Sequence, residues 1–177
     1  MKIVMFYVNT QSATPLHDKR VRQAIEYAID KEGIVEAVCY GYGSPAYAIV
    51  PDTVIEYLPV EEPHIYNLDK AKELMEEAGC ADGFSMEIWT SSSQTNTEIC
   101  QVVQEQLAAI NIDAEILVQD SNTIDTRIDA GDEFGMSLHF YSCNSGHAEY
   151  TLSNILPTGM ARNDSRFNGL VRTIFLG

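Results

Sequence analysis

Between residues 84 and 140 the spacing of apolar residues switches repeatedly between two and the three-to-four of a helix face. Phe84, Met86 and Ile88 alternate, as do Ile112, Ala114, Ile116 and Val118, and then Phe134, Met136, Leu138 and Phe140. Alternation places every second side chain on one side of a strand. Between these runs, Ile99, Val102, Val103, Leu107 and Ile110, and later Ile124 and Ile128, recur at helical spacing. A strand followed by a helix and another strand makes a crossover rather than a hairpin, so helices cover a sheet that is mixed or parallel. The 177 residues can bury one substantial core without splitting. The expected fold is therefore α/β, a mixed or parallel sheet flanked by helices, in a single domain spanning residues 1–177.

The remaining segments agree. Residues 2–8 are mostly apolar and predict a buried strand. Val21, Ala24, Ile25, Ala28 and Ile29 then form a helical stripe, with Asp18 as its expected N-cap. Asp30 offers a second cap ahead of Ile34, Val35 and Val38, and Gly41 and Gly43 are expected to end that helix before Pro45. Asn67 opens a third helix with Ala71, Leu74, Met75 and Ala78 inward, Gly79 suits its left-handed terminus, and Asp82-Gly83 is a turn. Thr95 or Thr97 is expected to cap the fourth helix, Asn111 to end it, and Gly131 to stop the fifth. Residues 47–66, with Pro51, Pro59 and Pro63 and no period, form a long ordered loop of the kind that serves function or contact. A helical tail is expected from about residue 148. Internal repeats and low-complexity tracts are absent from the sequence.

Charge narrows the functional classes. With 26 acidic against 11 basic residues and a net charge of −15, the chain lacks the basic face that nucleic acid or an anionic membrane surface requires. No apolar run approaches the roughly 20 residues of a membrane span. The opening "MKIVMFYVNTQS" has one lysine, an apolar run broken at Asn9 and no small-residue cleavage site, so it reads as a strand and not as a secretion leader. Cys39, Cys80, Cys100 and Cys143 form no CxxC pair, and they read mainly as small buried hydrophobes. "GYGSPA" follows a helix instead of a strand and is no phosphate loop. Cys143 and His147, in "FYSCNSGHAEY", are the one nucleophile-and-base pair worth weighing. Nothing marks Cys143 as activated, and no residue orients His147. His139, Cys143 and His147 fit no metal-ligand spacing. The expectation is a protein without cofactor or metal, and not an enzyme.

Residues 15–46, "PLHDKRVRQAIEYAIDKEGIVEAVCYGYGSPA", resemble the signature segment of the family 5 extracellular solute-binding proteins of ABC importers, the peptide- and nickel-binding group. That pattern has an Asn after a strand, then D-x-R-V-R-Q-A-I-x-x-A-I-D and G-x-G-x-P-A. Here it is Asn9, then Asp18, Arg20, Val21, Arg22, Gln23, Ala24, Ile25, Ala28, Ile29 and Asp30, then Gly41, Gly43, Pro45 and Ala46. "YNLDKAKELMEEAGCADGF" continues the likeness, as does "VQEQLAAINIDAEI", with Asn111 where the family usually has Gly. The likeness is clear from residue 5 to about 135 and looser beyond.

The resemblance implies a periplasmic-binding-protein-like lobe of type II, with this chain as the C-terminal lobe only. The leader and N-terminal lobe of a longer, truncated parent would then be missing. It implies capture of a small peptide or other polar solute between two lobes for delivery to ABC permease subunits. The protein would be a monomer outside the cytoplasm, in the periplasm or as a surface lipoprotein. In peptide-binding relatives the strand matching Phe134–Phe140 leads to an aromatic residue and then an Asp that clamps the peptide's amino group. Those positions are Tyr141 and Asn144 here. A buried ammonium needs a carboxylate, and Asn144 is neutral. His147 and Ala148 replace the D-P that follows in the family. The ligand-binding residues so implied are Asn9, Tyr141, Asn144 and His147, with Glu149 as a substitute clamp. The alternatives are a non-peptide ligand such as a sugar or metal chelate, and a ligand sensor without transport.

Overall fold

The structure is a computed structural model that describes residues 2–48, 52–55, 57–142 and 174–176. Its elements follow in the order β1 (Lys2–Val8), a 3-10 turn (Pro15–His17), α1 (Lys19–Ala28), α2 (Lys31–Cys39), α3 (Leu68–Glu77), β2 (Phe84–Ser91), α4 (Gln94–Ala108), β3 (Ile112–Gln119), α5 (Ser121–Ala130), β4 (Met136–Ser142) and β5 (Ile174–Leu176). The five strands make one sheet in the order β3-β2-β4-β1-β5. β2 runs parallel to β3 and β4, whereas β1 is antiparallel to both β4 and β5. The expected α/β fold with a mixed sheet is what forms.

Helices α1 to α4 cover one face. Phe6, Val8, Ile88, Ile112, Met136 and Leu138 from the sheet meet Val21, Ile25, Ile34, Leu74, Ile99 and Leu107 from the helices in one core. Each large aliphatic side chain buried in this way contributes about 1.5–3 kcal/mol relative to exposure. On the other face a smaller cluster forms from Trp89, Ile124, Ile128 and Phe134 under α5.

The caps follow local chemistry. The Asp18 carboxylate accepts from Arg20 N, Asp30 from Gly33 N and Asn67 from Lys70 N, each starting the expected helix. Arg20 donates to Glu77 O at 2.6 Å, and Arg22 donates to Leu16 O and His17 O at 2.8 Å. The signature-segment arginines therefore lace α1 to neighbouring backbone. Asn111 takes φ 61° and Gly131 φ 87° at the helix ends assigned to them.

Several expectations are corrected. Ser93, and not Thr95 or Thr97, occupies the N-cap of α4, and Thr97 Oγ1 donates back to Ser93 O from within the first turn. α2 ends on Tyr40, itself left-handed at φ 54°, one residue before Gly41. Phe134 does not share a face with Met136 and Leu138. It precedes β4 and packs on Trp89, and Gly135 beside it lies against Met86 and Glu87 with no room for a Cβ. Val118, on edge strand β3, is 48% exposed. Residues 174–176 of the expected helical tail are the strand β5, and residues 143–173 lie outside the described part.

Candidate functional site

The parallel strands β2, β3 and β4 bring their carboxyl ends to one edge of the sheet. Ser91 stands level with Gln119. β4 pairs with β2 at Ile88↔Met136 and Trp89↔Ser137, so it runs on past β2 to reach Ser142. From β2 the chain crosses through α4 to β3 on one side. From β3 it crosses through α5 to β4 on the other, and the two helices lie on opposite faces. Connections that diverge in this way leave a crevice outside the strand ends, the usual ligand position in an open α/β sheet.

The edge is polar and uncharged at its base. Asn96, in the first turn of α4 and 1% exposed, donates through Nδ2 to Ser91 Oγ at 2.7 Å. Its Oδ1 has no hydrogen-bond partner among the described residues, nor has Nε2 of Gln119. Arg127 Nη1 donates to Gln119 Oε1 at 3.0 Å, and its Nε pairs with Asp132 at 2.8 Å. The same guanidinium lies 4.1 Å from the Trp89 ring centroid. Asp120 caps α5 on Thr123 N at 3.0 Å, and its bonds to Thr123 hold its carboxyl below the ordinary aspartate value. Every charge named here is thus paired or engaged in a cap, and Asn96 Oδ1 and Gln119 Nε2 are left as a buried acceptor and donor without partners among the described residues. Such a base suits a ligand's amide or hydroxyl groups better than an isolated charge.

Of the residues expected to bind ligand, the backbone of Tyr141 belongs to β4, paired with Ile3 near the carboxyl edge. Asn144, His147 and Glu149 lie outside the described residues. Asn9 is at the other end of β1, six positions from Ile3, about 20 Å along the strand. It is fully buried, donates through Nδ2 to Phe134 O at 3.1 Å and accepts from Gln11 N at 3.1 Å. Its backbone N–H donates to Gly135 O at 2.9 Å. Asn9 therefore ties the loop after β1 to the turn before β4, and the fold does not bring it together with Tyr141.

Two other constellations carry no chemistry of their own. Ser137 Oγ lies 2.7 Å from His139 Nε2, with the Tyr7 ring edge-on to the imidazole, but Ser137 is fully buried and cannot meet a substrate. Burial pushes the Cys100 thiol up to about 11, the opposite of activation. Among the described residues no three His, Cys, Asp or Glu side chains are grouped to hold a metal ion. A cavity of about 320 Å³ near the start of β2 and β3 is lined by Glu87, Asp113, Glu115 and Glu133. Glu87 there accepts from the Trp89 indole at 2.7 Å and Glu133 from Ala13 N at 2.7 Å. Asn96, Gln119 and Arg127 escaped the sequence reading because polar side chains at a strand end or on a helix follow no apolar period.

Residues 1–162 match the family model described as bacterial extracellular solute-binding proteins, family 5, middle. The chain belongs to this family. Among the curated proteins the chain is similar to the glutathione-binding protein GsiB of Salmonella choleraesuis, 33% identical over 144 residues, or 78% of this chain and 28% of that protein. The periplasmic binding protein DppA of Helicobacter pylori, solved with the peptide STSA, superposes with a TM-score of 0.86 at 25% identity, covering 94% of this chain and 33% of that one. A dipeptide-binding protein of Pseudoalteromonas, solved with Met-Leu, gives 0.83 at 29% identity, over 93% and 33%. The chain thus spans roughly a third or less of the length of these relatives.

Proposed function

We propose that this chain is the C-terminal ligand-binding lobe of a two-lobed solute-binding protein, the substrate-binding component of an ABC importer. The carrying observation is the family match across residues 1–162. In this reading a peptide or related polar solute is held between the lobes outside the cytoplasmic membrane. Closure then presents the loaded form to the permease.

The ligand would meet the lobe at the carboxyl edge of β2, β3 and β4. Tyr141, Asn144, His147 and Glu149, which end and follow β4, are the proposed contact residues, and Asn9 shapes the loop packed against the start of β4. Relatives that carry glutathione, STSA or Met-Leu support a short peptide. The uncharged Asn144, together with the uncharged base at Ser91, Asn96 and Gln119, supports a ligand anchored by hydrogen bonds more than by an ammonium–carboxylate pair. A sugar or chelate remains the second reading on that observation alone.

Native mass spectrometry of the full-length parent, purified without added ligand, tests this. A co-purified peptide supports the first reading, and Glu149→Gln should then weaken its binding. A co-purified sugar or metal chelate would establish the second. Turnover of any solute would sink both.

A further inference from the structure

We draw no further inference here: the strongest candidate, the cavity of about 320 Å³ at the start of β2 and β3 lined by Glu87, Asp113, Glu115 and Glu133, is an acidic cluster alone, and nothing among the described residues shows what would fill it.

Discussion

Gly83 shows how much a single residue can decide. It takes φ +74°, and a Cβ there would stand 1.7 Å from Asn111 O, a contact no side-chain shift relieves. Asn111 is in turn left-handed and donates through Nδ2 to Ala81 O at 2.8 Å, so the turn before β2 and the end of α4 lock each other. Gly83→Ala should cost about 3 kcal/mol or more, read as a lower urea midpoint at unchanged slope. Asn111→Ala should also destabilise, through both φ and the lost bond. Asp18 is a milder case. Arg20 holds its carboxyl below the ordinary value, so its contribution is present above about pH 4 and is lost as pH falls through the lowered folded value. Asp18→Ala should cost about 1 kcal/mol near neutral pH through the lost cap, and less in acid. Cys100 titrates in the other direction. Its thiol is held protonated up to about pH 11, whereas an unfolded cysteine ionises near 8.5, so stability falls as pH rises between them. In native protein at pH 8, iodoacetamide should label the half-buried Cys39 and Cys80 and spare Cys100, with mass spectrometry of the peptides as the readout. The caps at Asp18, Asp30 and Asn67 and the left-handed ends at Asn111 and Gly131 were legible because each satisfies groups within its own turn. Asn96 and Gln119 were not, since no apolar period marks a polar side chain that packs at the end of a strand.

Helix α5 is the element whose placement matters most to the candidate site. It is the sole helix described on the second face. Arg127 fastens it by stacking on Trp89 and bonding Gln119 and Asp132. Arg127→Ala should lower stability by about 1–2 kcal/mol and loosen the end of β3. Trp89 is the chain's one tryptophan and is fully buried, so the fluorescence comes from a single indole that touches Arg127, Phe134 and Glu87. A red shift with altered intensity is expected in the variant, and an unchanged spectrum would show that α5 is held by its apolar contacts instead. The strand and helix runs from 84 to 140 were legible by period. Phe134 was misplaced because alternation assumes extended backbone, and the chain turns at Gly135, where Met86 leaves no space for a side chain.

On the scale of the whole molecule, the proposed two-lobed reading makes this chain one wall of a cleft, and one wall holds a ligand weakly because the second provides the remaining contacts and excludes water. The isolated chain should therefore bind the parent's ligand about 100-fold more weakly or worse, measured by calorimetry on both proteins. Saturating ligand should raise the melting temperature of the parent and scarcely move that of the chain. Equal affinity would mean that this lobe alone completes the site. Within the chain itself, the sequence determined the alternation of strands and helices from residue 84 to 140, the caps at Asp18, Asp30 and Asn67, the left-handed ends at Asn111 and Gly131, and the apolar stripe of each helix. These are local properties, set by hydrogen-bonding and burial within a few residues. The order β3-β2-β4-β1-β5, the meeting of Ser91 with Gln119, the separation of Asn9 from Tyr141 and the second face occupied by Phe134 were decided only by tertiary structure. Periodicity records that a residue faces inward, but it takes the pairing of distant strands to settle what it faces.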